Sequence, residues 1–79
     1  MSGTDFSNSN LKDSSLSEID FSDANLTGAD LSGSDLLGTN FIGADLENAN
    51  LSGANLSGAN LSGANLKNAN LENSKLFGA

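Results

Sequence analysis

One residue in every five is a large apolar side chain, and the spacing never slips. Leu or Phe stands at position 6 and at every fifth residue up to position 76, giving fifteen consecutive pentapeptides over residues 4–78. Taking the large residue as the centre, the position two before it is small: Ala eight times, Ser four, Thr twice, with Ile19 the misfit. The position just before the centre is Asn eight times and Asp five, with Ser15 and Lys75 the exceptions. After the centre comes most often Ser, and the last position is Gly in eight repeats and Asn, Asp or Glu in the others.

A helix cannot use this pattern. Five residues turn an α-helix by about 500°, roughly 140° net, so the leucines would spiral around it instead of forming a stripe. Gly, Asn, Ser and Asp are also poor helix-interior residues. In an extended segment the small residue and the centre, two apart, point to one side, and the Asn or Asp between them points to the other. The next two residues are turn formers that bend the chain before the following repeat. A short inward-facing strand and a bend, repeated without interruption, coil into a solenoid whose sides are columns of Leu/Phe and Ala/Ser.

These residues resemble the pentapeptide-repeat family, whose pattern is Ala-Asp/Asn-Leu-X-X, most closely from Ala49-Asn50-Leu51-Ser52-Gly53 to Ala64-Asn65-Leu66. The resemblance implies an all-β fold, a right-handed quadrilateral β-helix with four pentapeptides per coil, over a single domain of residues 1–79. Fifteen repeats then make 15/4 = 3.75 coils, about 18 Å of stack at the usual strand spacing. Residues twenty apart become vertical neighbours, which sets Phe21 on Phe41 and Ile19 beneath Thr39. Three residues before the array and one after it leave no room for a capping helix. The near-identical central run is also what a consensus-designed array, or one segment of a longer one, would show.

Composition reads differently once the pattern is known. At 37% hydrophobic, with a net charge of −7, the chain has the profile of a disordered protein. Two of every five positions face inward, however, and the rest are free to be polar. Cys and His are absent, which removes disulfides, Cys/His metal sites and Cys–His or Ser–His–Asp catalysis. No base, nucleophile and metal set can be assembled, so the expectation is a non-enzyme without cofactors. The acidic balance argues against direct nucleic-acid or anionic-membrane contact. The N-terminus shows no basic, apolar leader and no stretch is apolar enough to span a bilayer, so the expected location is cytoplasmic. Gly-x-x-x-x-Gly spacings and Asn-Leu-Ser sequons are by-products of the repeat. Glu18, Asp20 and Asp23 lack the Asp-x-Asp-x-Asp-Gly pattern of a calcium loop.

Departures from the repeat are where function is to be sought. Nine acids and one Lys lie in residues 1–47, against one acid and two Lys in residues 48–79. Asp20, Asp23, Asp30, Asp35 and Asp45 form a candidate acidic face, whose plain role is solubility. The functional alternative is a mimic of a nucleic-acid phosphate track, which the resemblance implies through family members that act on type II topoisomerases. Leu37, Ile42 and Phe77 place large apolar groups in an outward column and form a candidate contact patch. Leu66, Leu71, Leu76 and Phe77 make the last coil an apolar base, whereas Thr4, Ser9 and Ser14 make the first coil more polar inside. A short solenoid without caps needs its ends covered. The leading expectation is therefore a structural or interaction module that self-associates through its C-terminal coil, as a homodimer or an end-to-end stack.

Overall fold

In the computed structural model, which describes all residues from Met1 to Ala79, each pentapeptide makes one turn and one isolated β-bridge. The bridging residue is the one before each centre. All eleven bridges are parallel and join residues twenty apart, from Asp5 with Asn25 to Asn55 with Lys75. Twenty residues at five per repeat give four sides per coil, so the chain is a right-handed quadrilateral β-helix. Four columns follow, with centres 6, 26, 46, 66; 11, 31, 51, 71; 16, 36, 56, 76; and 21, 41, 61.

The first three residues join the helix, contrary to the sequence-based boundary. Met1 occupies a centre position: its carbonyl accepts from the Thr4 N–H at 3.3 Å, and the Gly3 N–H donates to the Ser22 carbonyl at 2.9 Å. Met1–Gly3 thus add a partial repeat and a sixteenth corner to the fifteen pentapeptides, which brings the stack from 3.75 to nearly four coils. With extents of 24 × 21 × 18 Å the molecule is a block with no pronounced long axis.

Coils are held by a ladder with one register. The centre N–H donates to the carbonyl nineteen residues ahead, as in Phe21 to Asn40 at 2.7 Å. The last residue of the repeat does the same, as in Gly28 to Glu47 at 2.9 Å. The residue before the centre donates backwards, as in Asn25 to Thr4 at 3.0 Å. Inside, the two middle coils are closed: every centre from Phe21 to Leu56 and every small residue from Ala24 to Ala59 is buried. Phe41 lies on Phe21 with ring centroids 5.6 Å apart and planes at 10°, and Phe6 meets Phe21 edge-on at 5.5 Å. Both arrangements are favourable for aromatic pairs.

Every corner is a β-turn running from the centre to the small residue of the next repeat. The third turn residue has φ between +56° and +70° at all sixteen corners, the hallmark of a type II turn. This explains the final position of the repeat, because Gly, Asn and Asp tolerate that region. Glu18, at φ +60°, is the one residue there of another type. A Cβ on Gly28, Gly33 or Gly43 would also meet the side-chain oxygen of Asn8, Asp13 or Asp23, one coil before, and that side chain would have to turn aside. Fifteen corners are closed by their own backbone bond. At the sixteenth, Leu11–Ser14, the Ser34 hydroxyl enters the corner, donating to the Leu11 carbonyl at 2.7 Å and accepting from the Ser14 N–H at 3.1 Å.

Two substitutions test this account of the corners. Glu18→Gly relieves a left-handed non-glycine residue and raises stability by about 1 kcal/mol, seen as a Tm increase of roughly 4–8 °C in a thermal melt. Gly33→Ala strains the corner and meets Asp13, so it lowers Tm, and Asp13→Gly, which removes that contact and suits the left-handed corner, recovers part of the loss.

Candidate functional site

The residue before each centre turns outward, yet it does more than hydrate the surface. In all thirteen repeats that carry Asn or Asp there, the side-chain oxygen accepts the backbone N–H two residues on, at 2.9–3.2 Å. This is an Asx turn set on the shoulder of each β-turn. Only an oxygen acceptor at that reach is required, so Asn and Asp interchange. The two other residues at this position, Ser15 and Lys75, make no such bond. The alternation of Asn and Asp was visible in the sequence; its role as a corner brace was not.

Three of these carboxylates are held below the ordinary carboxylate range. At Asp5 the cause is the Ser7 N–H, then its hydroxyl; at Asp20 and Asp30 it is the hydroxyls of Ser22 and Ser32, then their N–H groups. The Ser32 hydroxyl lies 2.6 Å from the Asp30 oxygen. Each bond favours the charged form.

The candidate acidic face is not a face. Asp45 lies in the column of Phe6, Asp30 in that of Leu11, Asp35 in that of Leu16, and Asp20 with Asp23 around Phe21. The five acids thus circle the helix on all four sides. In the columns before the centres Asp never stacks on Asp: Asp5, Asn25, Asp45 and Asn65 alternate, and Asp30 sits between Asn10 and Asn50. Like charges in one column are at least two coils apart, close to 10 Å, which limits repulsion and forms no phosphate-like track. Glu18, Asp20 and Asp23 do not converge, and no group of three or more metal-ligating side chains exists in the structure.

The candidate contact patch is also divided. Leu37 and Ile42, 46% and 43% exposed, follow successive centres around one corner. Phe77 lies in the Leu37 column with Ser57 between them, since Gly38 donates to Ser57 and Gly58 to Phe77. Leu37 and Ile42 therefore sit apart from Phe77. In the C-terminal coil, Leu66, Leu71 and Leu76 stand on three successive sides, with Phe77 following Leu76. Leu66 and Leu71 are half-buried, while Leu76 is 45% and Phe77 80% exposed. Beneath them the N–H groups of Leu61, Leu66, Leu71 and Leu76 have no backbone partner.

A four-sided parallel β-helix with a Leu/Phe core, small-residue columns and an Asn/Asp brace at the corners defines a class of repeat protein. The chain matches the family profile described as pentapeptide repeats over residues 1–38, 19–58 and 39–78, and it belongs to that family. Among solved structures it is similar to a pentapeptide repeat protein, Rfr23, from the cyanobacterium Cyanothece 51142, with TM-score 0.93 and 38% identity over 94% of this chain and 50% of that one. A pentapeptide repeat protein from the Arabidopsis thaliana thylakoid lumen gives TM-score 0.88 and 37% identity over 98% of this chain and 57% of that one. HetL from Nostoc sp. strain PCC 7120, described as involved in heterocyst differentiation regulation, gives 0.58 and 37% identity over 94% of this chain and 37% of that one. The chain thus spans about half the length of the first two relatives or less than that of the third. A search of curated protein sequences finds no match.

The lowered carboxylates set a pH dependence. Because the folded pKa lies below the unfolded one, these groups stabilise the fold above the usual carboxylate pKa, and that contribution is lost as pH falls through the folded value. Stability is therefore expected to hold from neutral pH to about pH 5 and to decline below about pH 4. The variant with Asp5, Asp20 and Asp30 all changed to Asn keeps the acceptor oxygens. It should fold as well at neutral pH and show a shallower decline in acid, read by thermal melts across the pH range.

Proposed function

We propose that the chain is a non-enzymatic structural module whose function is contact between proteins, and that its first partner is a second copy of itself, met through the C-terminal coil. One observation carries this reading. The last coil leaves Phe77 80% exposed beside a 45% exposed Leu76, over a row of backbone N–H groups with no partner. A sheet edge of this kind is a template for pairing, and covering it also shields the half-buried Leu66 and Leu71. The family's fold supplies rigidity and surface, and its members are in general non-catalytic. The dispersal of the acids over four sides gives the phosphate-mimic alternative no support.

Light scattering tests the proposal. The wild-type chain should have at least twice its 8.0 kDa mass, and Leu76→Lys or Phe77→Lys should return it to one copy. Both side chains are exposed, so circular dichroism should show the same fold. A wild-type chain that stays single at high concentration would contradict the reading.

A further inference from the structure

Three departures from the repeat meet on one side of the helix, the one whose centres are Phe21, Phe41 and Leu61. Leu37 and Ile42 stand at the two corners that bound it, 46% and 43% exposed. At that place in the repeat the chain elsewhere uses Ser, Thr, Lys or Glu, with Phe77 the one other exception. Glu18 lies one coil before Leu37's corner, at φ +60°, the left-handed corner without Gly, Asn or Asp. A left-handed Glu and two apolar groups in water are each unfavourable. The coil requires none of them, since Gly at 18 and Ser at 37 and 42 would satisfy the same corners.

The row beneath the apolar pair is acidic. The Glu18 N–H donates to the Leu37 carbonyl and the Asp23 N–H to the Ile42 carbonyl, both at 2.8 Å. Between them Asp20 bridges to Asn40. Three exposed acids therefore line one edge of the pair, one strand spacing away, about 4.8 Å. No other side holds three acids in one row, and none of the three Lys stands on this side. Asp20 is held low first by the Ser22 hydroxyl and N–H and last by the Met1 ammonium group; with that cation counted the row is still at −2. Along the opposite edge run Ser57, Asn60 and Ser62 with Gly58 and Gly63, a low row without charge.

We propose that this side docks a segment of another protein that carries large apolar side chains with Lys or Arg along one flank. The apolar groups cover Leu37 and Ile42, the cations meet Glu18, Asp20 and Asp23, and the low row leaves room for the segment's other flank. Complementary charge sets the orientation of the segment, and the apolar pair supplies the anchor. The acids call for cations, which the same side of a second copy does not carry. All the residues involved lie within residues 18–63, and the docking does not depend on the self-association proposed above.

The test is a nitrogen-15 NMR titration with a short amphipathic helical peptide, a stripe of Leu flanked on one edge by Lys, with Gln elsewhere. Four variants each substitute residues that the repeat already uses at those places: Leu37→Ser with Ile42→Ser, Asp20→Asn with Asp23→Asn, Glu18→Gly, and, as a control on other sides, Asp30→Asn with Asp45→Asn. Circular dichroism should show all of them folded alike. The amides of Leu37, Gly38, Asn40, Ile42 and Gly43 should shift on binding. The Ser pair should weaken binding about tenfold or more, and Asp20→Asn with Asp23→Asn roughly threefold, while the control pair matches the wild type. Glu18→Gly should melt higher and bind less, a split that a purely structural role would not give. Absence of binding overturns the proposal. So does equal weakening by the two Asn pairs, which marks diffuse attraction to an acidic chain, or indifference to the Ser pair, or equal binding of the same peptide with Glu in place of Lys. If the Ser pair instead lowers the mass of the chain in sedimentation without peptide, a second copy covers this side, and the proposal of a different partner is overturned.

Discussion

The backbone of each repeat is satisfied by the coil before it and the coil after it. Outward-running bonds reach nineteen residues ahead, and return bonds reach twenty-one residues back. Within a coil only the corners are bonded. An isolated coil would thus leave most of its N–H and C=O groups to solvent, and no coil is stable alone. Everything else serves this ladder. The columns of Leu and Ala keep the coils superposed, and the corners must repeat at the same angle or the twenty-residue register fails.

Corners carry the specificity of the sequence. A positive φ at the third turn residue calls for Gly, Asn or Asp, and the Asx brace calls for an oxygen acceptor before the centre. Where small residues in the core are polar, they are bonded: Ser34 splices the Leu11–Ser14 corner, and the Thr39 hydroxyl donates to the Leu16 carbonyl at 2.8 Å. No buried side-chain polar atom is left without a partner. Side chains on the last turn position also look after one another across coils. The larger residues Asn8, Asp13 and Asp23 each stand over a glycine one coil on, so neighbouring coils are fitted to each other although every repeat obeys one pattern.

Much of this was legible in the sequence because the period of five forces a single inward-facing pair per repeat. The columns of centres, the Phe21–Phe41 stack and the exposure of Leu37, Ile42 and Phe77 all follow from counting in twenties once four sides are granted. What counting could not supply is hydrogen-bond geometry. Asn50 and Asp45 look like surface polarity in a list of letters, and only the 3.0 and 3.1 Å bonds to Ser52 and Glu47 make them braces. Met1 fills a centre position that a search for Leu or Phe passes over. The acids of the first half look like a band in one dimension, and the winding of the chain spreads them around four sides.

Amide hydrogen exchange followed residue by residue addresses the ladder directly. At a concentration where the chain is single, the N–H groups of the centres from Phe21 to Leu56 should be strongly protected, and those of Leu61, Leu66, Leu71 and Leu76, which have no acceptor, should exchange freely. Raising the concentration should protect the second set as copies cover that edge. Equal protection of both sets in the single chain, or free exchange of Leu31, Leu36 and Phe41 at the centre of the stack, would contradict the account.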